Sequence, residues 1–171
     1  MALIRTQVAI VGAGMVGLSL AVALAKHGRE VVVIERQQAK RDVPEQPQVR
    51  VSALSAGSQA WLEALGVWSL LPKTRLGPYL KMSVWDRDNG AHIDFDASEA
   101  GVPTLGHIVE NAVVEACLWQ RAEALGVRIM DAVEFDAPEF HEQDVTLSLS
   151  NGDIVLTQLL VAADGARSAL R

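Results

Sequence analysis

The apolar positions near the N-terminus predict a strand, a helix and a second strand. Residues 8–11 form an apolar run, residues 15–27 are apolar on nearly every face, and residues 31–34 form a β-branched run. A helix that is apolar all round is buried, so this one would pack between a sheet and its neighbours. The order strand, helix, strand predicts a parallel pair in an α/β fold.

The pattern becomes polar in the next segment. Residues 37–48 contain two prolines and show no periodicity, which predicts a loop. Residues 50–55 then lead into a helix, with Ser55 as its N-cap and Gly66 as its stop.

A hairpin is predicted in the middle of the chain. Two alternating runs, residues 82–86 and 91–95, are joined through Asn89-Gly90. Asn-Gly between alternating runs is a strong hairpin signal. This antiparallel piece interrupts the α/β pattern, so we expect it to belong to a second layer or domain.

The last third of the sequence again contains apolar runs that predict buried strands and a helix. The pattern predicts a short strand at residues 106–110, a helix from Asn111 to about residue 125, and a strand at residues 127–130. Three further runs, residues 133–140, 145–150 and 154–157, predict a small antiparallel meander.

A continuous apolar strand is predicted separately at residues 159–163, directly before Asp164-Gly165. Open α/β sheets bind ligands at the carboxyl ends of their strands. Asp164 is therefore either a turn residue or a ligand-binding residue, and the pattern alone leaves both open. Arg50 likewise is either a surface arginine or a cation near a cofactor.

The first turn has the spacing G-x-G-x-x-G, with Gly12, Gly14 and Gly17 between the first strand and helix. In this fingerprint the first glycine permits a tight turn, the second lets a pyrophosphate approach, and the third lets the helix pack closely. Glu35 follows the second strand, where the fingerprint places an acid that accepts from a ribose hydroxyl. A carboxylate would repel a 2′-phosphate, so the turn predicts the adenosine half of FAD or NAD.

Composition narrows the choice of function. The 171 residues are half hydrophobic, and the net charge of −6 argues against nucleic acid as a partner. The single Cys117 excludes an internal disulfide and is expected to be a buried hydrophobe. The four histidines lack ligand spacing, so no metal site is predicted.

The N-terminus also has features of a signal peptide, because Arg5 precedes an apolar run. Three glycines inside the run and a β-branched strand after it favour a nucleotide-binding fold. We therefore expect no targeting or membrane-spanning segment, and a cytoplasmic protein.

Four segments, residues 8–36, 50–54, 107–111 and 163–171, together resemble a known family. They are similar to the group A FAD-dependent aromatic hydroxylases, which have the p-hydroxybenzoate hydroxylase fold. Within that group they most resemble the ubiquinone-biosynthesis hydroxylases of the 2-octaprenylphenol hydroxylase type.

The resemblance implies a set of cofactor-binding residues. The glycine turn would receive the FAD pyrophosphate, and Glu35, with Arg36 alongside, the adenosine ribose. Arg50 and Asn111 match positions near the pyrophosphate, ribityl chain and flavin, while Asp164 matches the pyrophosphate region and is linked to NAD(P)H use. The full set is Gly12, Ala13, Gly14, Met15, Val16, Gly17, Glu35, Arg36, Arg50, Asn111, Asp164 and Gly165. No catalytic residue and no metal ligand is implied.

The resemblance also implies an architecture and an activity. It predicts a glutathione-reductase-type FAD domain at residues 1–76 and 106–171, and part of a substrate-domain sheet at residues 77–105. It implies hydroxylation of a prenylated phenol in ubiquinone biosynthesis with NAD(P)H and O2. Such a substrate implies contact with the inner membrane or with other proteins of that pathway.

Family members are much longer, and their second FAD motif, a Gly-Asp segment, follows the region of Asp164. We therefore expect an N-terminal fragment that binds FAD weakly or not at all, is inactive alone and self-associates through uncovered apolar surface. Two alternatives stay open: an NAD-dependent dehydrogenase with the same fingerprint, and a non-catalytic binding module.

Overall fold

The structure is a computed structural model that describes residues 1–39, 41–166, 168 and 170. The chain divides into two compact units, residues 1–43 with 115–171, and residues 44–114. The predicted domain boundaries at residues 76 and 105 stay a prediction.

Eleven strands and three α-helices follow one another in the described part of the chain. They are β1 (Leu3–Val11), α1 (Met15–Lys26), β2 (Val31–Ile34), β3 (Val51–Ser55), α2 (Ala56–Leu65), β4 (Gly77–Tyr79), β5 (Lys81–Trp85), β6 (His92–Asp96), β7 (Gly106–Glu110), α3 (Asn111–Ala124), β8 (Arg128–Met130), β9 (Glu139–Phe140), β10 (Val145–Ser148) and β11 (Ile154–Ala162).

The first unit is built on a six-stranded sheet in the order β8-β2-β1-β11-β10-β9. The first four strands are parallel, and β10 and β9 continue the sheet in antiparallel fashion. All four residues of β2 are buried, which explains its unbroken β-branched sequence. This arrangement confirms the predicted α/β fold with a parallel sheet and an antiparallel meander.

Strand β11 differs from the prediction of two strands at residues 154–157 and 159–163. It is one strand of nine residues that pairs with β1 from Leu3↔Ile154 to Val11↔Ala162. Gln158, the residue between the two predicted strands, is exposed, so it faces solvent without interrupting the ladder. The third meander strand and the predicted apolar strand before Asp164 are therefore the same element.

The predicted strand at residues 133–140 is also mostly wrong. Only Glu139–Phe140 is a strand, and Phe135 forms an isolated bridge with Leu149. Pro138 offers no backbone N–H to a ladder, and Ala132 has a positive φ of 56°, which turns the chain before the run begins.

The second unit contains two small antiparallel sheets, one of order β3-β7-β4 and one formed by β5 and β6. The β5–β6 hairpin confirms the prediction made from Asn89-Gly90. The caps of α2 are also as predicted. The Oγ atom of Ser55 accepts from the backbone N–H of Ser58 at 3.3 Å, and Gly66 ends the helix at a φ of 75°.

Candidate cofactor site

The glycine turn joins the carboxyl end of β1 to α1. Gly12 has a φ of +104°, and its N–H donates to the carbonyl of Ile34 at 2.8 Å. A Cβ at Gly12 would overlap the carbonyl oxygen of Ala163 and lie 2.6 Å from its carbonyl carbon. A Cβ at Gly17 would overlap the carbonyl oxygen of Gly12 and lie 3.3 Å from the Cβ of Ala163. Gly12 is therefore required by the packing of the turn against the end of β11, and Gly17 is required by the close approach of α1 to the carbonyl of Gly12.

Gly14 is different, because a Cβ there would meet no atom within 4 Å. Gly14 is the N-cap of α1, has an extended φ of −76°, and makes no side-chain cap hydrogen bond. Backbone N–H groups in the first turn of a helix lack intrahelical acceptors, and the helix dipole favours an anion beside them. The open side of Gly14 thus meets the requirements of a phosphate-binding turn.

Glu35 directly follows β2 and is half-buried against this turn. Its Oε2 atom accepts from the backbone N–H of Ala13 at 2.8 Å, and Oε1 accepts from the N–H of Gln37 at 2.8 Å. A carboxylate oxygen has two lone pairs, so each atom can accept a further hydrogen bond. Glu35 can therefore fix the turn and accept from a ribose hydroxyl at the same time.

Asp164 and Gly165 follow β11, the neighbour of β1 on its other side. The N–H of Ala163 donates to the carbonyl of Val11 at 2.8 Å, which fixes this end of β11 beside the turn. Asp164 is half-buried, and Gly165 has a φ of +82°. Because β2, β1 and β11 are adjacent and parallel, the predicted residues Gly12, Glu35 and Asp164 all lie at the carboxyl ends of these strands, at the same end of the sheet. Met15 and Val16 form the first turn of α1, where Val16 is 76% exposed, and Arg36 is exposed next to Glu35.

Arg50 and Asn111 lie in the second unit and are neighbours there. The backbone N–H of Asn111 donates to the carbonyl of Arg50 at 3.1 Å. The hydroxyl of Ser52 donates to Oδ1 of Asn111 at 2.7 Å. The side chain of Arg50 is exposed. The prediction of a helix that begins at Asn111 is confirmed, and the role of both residues toward a cofactor stays a prediction.

An ion pair between Arg75 and Glu110 was not found from the sequence. The Nε and Nη2 atoms of Arg75 lie 2.6 and 2.7 Å from the two carboxylate oxygens of Glu110. The N–H of Gln48 donates to the same carboxylate at 2.6 Å, and Nη1 of Arg75 donates to the carbonyl of Pro44 at 3.1 Å. Arg75, followed by the Gln48 N–H, lowers the pKa of Glu110 to about 2. The only local signal was an acid at the end of an apolar strand, since its partner lies 35 positions away.

Within the ranges the structure describes, no three or more His, Cys, Asp or Glu residues are grouped so as to hold a metal ion. Among the helices of those ranges, none combines the length and apolar character needed to cross a membrane.

Comparison with known proteins identifies the family. The family described as FAD binding domain matches residues 5–171. The 3-demethoxyubiquinol 3-hydroxylase of Escherichia coli (strain K12) is 41% identical over 170 residues, which are 97% of this chain and 43% of that protein. The mitochondrial ubiquinone biosynthesis monooxygenase COQ6 of Danio rerio is 33% identical over 181 residues, covering 96% of this chain and 37% of that protein.

Solved structures show the same fold. The flavin-dependent monooxygenase PieE, in complex with FAD and substrate, is 22% identical with a TM-score of 0.73. The match covers 96% of this chain and 31% of PieE. The chain thus spans less than half the length of these relatives.

Proposed function

This chain belongs to the FAD binding domain family, and on that premise we propose that it is the FAD-binding part of a monooxygenase of ubiquinone biosynthesis. The reaction would be hydroxylation of a prenylated phenol with NAD(P)H and O2. The observation that carries the proposal is the family match along residues 5–171, together with an open glycine turn whose acid is already in place.

Each residue of the turn has a distinct part in this proposal. The first-turn N–H groups of α1, exposed beside Gly14, would donate to the pyrophosphate of FAD. Glu35 would accept from the adenosine ribose while it holds the N–H of Ala13. Its negative charge would oppose a 2′-phosphate at the same position, which favours FAD over NADPH there.

FAD, when bound, supplies the electron transfer from NAD(P)H to O2 that hydroxylation requires. This chain's residues bind and orient it. We retain Asp164 as a contact to the pyrophosphate region, since it lies at the same end of the sheet as Gly12. The family resemblance supports Arg50 and Asn111 as further cofactor contacts, and we include them in the proposal.

The substrate is proposed as a class and not as one compound. The relative from Escherichia coli is named as a hydroxylase of a demethoxyubiquinol, whereas the sequence motifs most resemble the 2-octaprenylphenol type. Both are electron-rich rings with a prenyl chain. A prenylated phenol or quinol is therefore the substrate class that the relatives support.

The alternative of an NAD-dependent dehydrogenase is less well supported. A doubly wound NAD domain continues with βα units, whereas here β9 and β10 extend the sheet as an antiparallel meander. The family match also names FAD. A binding module without catalysis remains as an outcome of the experiment below.

A chimera tests the proposal directly. Residues 5–171 would replace the aligned part of the Escherichia coli hydroxylase, and the purified protein would be examined for flavin absorbance and for NAD(P)H-dependent hydroxylation. We expect bound FAD and one added oxygen atom in a demethoxyubiquinol or an octaprenylphenol. Bound FAD without product on either ring would favour a binding module, and a folded chimera without flavin would contradict the proposal.

A matched variant controls for folding. Gly14→Ala in the same chimera adds a methyl group that meets no protein atom, so the fold should persist while FAD is lost. Equal flavin content in the chimera and in this variant would contradict the assignment of the turn.

A further inference from the structure

A groove of about 470 Å³ lies at the amino ends of the parallel strands, at the end of the sheet opposite the glycine turn. It is lined by the first residues of β2 and β8 and by the early part of β1, and it lies beside the ends of α1 and α3. Ligand pockets commonly have volumes of about 300–1,000 Å³. The groove is therefore large enough for a small molecule and is separate from the candidate cofactor site.

Positive charge dominates this groove. Arg5, Arg29 and Arg128 line it together with a single acid, Glu30, in a chain whose net charge is −6. Over the described residues, none of these three arginines forms an ion pair with a carboxylate. Three arginines thus line one concave surface, and Glu30 is the only acid among its lining residues.

The backbone under these arginines is held in place. The N–H of Arg29 donates to the carbonyl of Leu24 at 3.0 Å after α1 ends, and Arg128 pairs with Val32 in the parallel ladder. The hydroxyl of Thr6 donates to the carbonyl of Glu30 at 2.8 Å. A ligand would therefore need to order only the arginine side chains and not the chain that carries them.

We propose that this surface, the arginine groove (Arg5, Arg29, Glu30 and Arg128), binds a phosphate-bearing anion. Planar guanidinium groups match phosphate oxygens in paired hydrogen bonds, and several of them together favour a multiply charged ligand. A free phosphorylated molecule and the headgroup of an anionic lipid share this chemistry. The proposal does not depend on the FAD function, because the groove lies at the opposite end of the sheet.

A structural role for two of the arginines has to be separated from binding. Arg29 and Arg128 each follow the end of a helix, where a cation offsets the partial negative charge of the helix dipole. Their removal would then lower the melting temperature without any ligand. Affinity for an anion, measured on folded variants, is the quantity that a purely structural role would leave unchanged.

The test is a titration of the 15N-labelled chain with sodium pyrophosphate at constant ionic strength. Pyrophosphate can also bind at the glycine turn, so the two sites are read from different amides: Gly14 and Gly17 for the turn, and Arg29, Val31 and Arg128 for the groove. We expect saturable shifts at the groove that persist in Gly14→Ala.

Three substitutions in the groove and one control outside it have different expected effects on the affinity for pyrophosphate. Arg29→Gln and Arg128→Gln should each weaken binding at the groove by about tenfold, since each removes a charged donor. Glu30→Gln should strengthen binding, because it removes the one acid in the groove. Arg87→Gln is the control, since it removes an exposed arginine of the β5–β6 turn and should leave the affinity unchanged.

The outcomes decide the proposal and the source of the phosphate. Co-sedimentation with phosphatidylcholine vesicles containing phosphatidylglycerol, lost in Arg29→Gln, would identify a lipid headgroup as the ligand. Saturation by pyrophosphate without vesicle binding would identify a free anion. The proposal is overturned if pyrophosphate shifts no groove amide and the chain does not co-sediment with the vesicles. It is also overturned if Arg29→Gln, Arg128→Gln and Arg87→Gln all have the same affinity for pyrophosphate.

Discussion

Replacement of Gly12 by alanine is expected to destabilise the chain strongly, whereas the same change at Gly14 should not. An alanine at position 12 would have to adopt a φ of +104°, which costs about 1–3 kcal/mol. Its Cβ would also overlap the carbonyl oxygen of Ala163 and lie 2.8 Å from the Cα of Asp164. These are backbone atoms, and the hydrogen bond from Ala163 to Val11 holds them beside β1.

A backbone shift that relieves this overlap has its own cost, so Gly12→Ala should lower the free energy of unfolding by about 3–5 kcal/mol in total. For a chain of this size, that loss lowers the melting temperature by about 6–20 °C. Gly14→Ala meets no atom and keeps an ordinary φ of −76°, so its free energy of unfolding should change by less than about 1 kcal/mol.

Thermal unfolding followed by circular dichroism measures both variants against the parent chain. A guanidinium titration checks that the transitions stay cooperative, so that the free energies can be compared. The reasoning is refuted if Gly12→Ala melts within about 2 °C of the parent, or if Gly14→Ala loses as much stability as Gly12→Ala.

Three further predictions concern single side chains. Glu35→Gln should lower the free energy of unfolding by about 1–2 kcal/mol, because the amide NH2 of the glutamine would face the N–H of Ala13 or of Gln37. Urea titration measures this loss, and an unchanged midpoint would contradict the prediction. Pairing with Arg75 lowers the pKa of Glu110 from 4.5 to about 2, so the stability from this pair is present above pH 4.5 and is lost as the pH falls toward 2. In an acid titration, the free energy of unfolding of Arg75→Met should decline less steeply over that range than that of the parent chain. Parallel curves would refute the coupling. Burial raises the pKa of the Cys117 thiol, so at pH 8 a disulfide reagent should modify it only as fast as the chain opens; modification within seconds in buffer without denaturant would contradict this burial.

The glycine turn was predictable because its information is local. The spacing of Gly12, Gly14 and Gly17 and the acid after β2 lie within one strand-helix-strand unit, and the structure places Glu35 in contact with Ala13. The sequence could not show that Gly12 is required by Ala163, because that contact joins residues about 150 positions apart.

Strand β11 shows why local pattern reading fails at other places. The apolar pattern predicts two strands, residues 154–157 and 159–163, with Gln158 between them. Pairing with β1 along the whole length outweighs that local signal. The Arg75–Glu110 pair could not be found for a similar reason, since neither residue has a pattern that specifies its distant partner.

The site of FAD is the central claim, and a titration of the 15N-labelled chain with FAD tests it most directly. The account predicts saturable shifts, at weak affinity, of the amides of Ala13, Gly14, Gly17 and Glu35. It also predicts that these shifts disappear in Gly14→Ala while the rest of the spectrum is retained. Saturable shifts at other amides with none at these four, or equal binding by parent and variant, would contradict it.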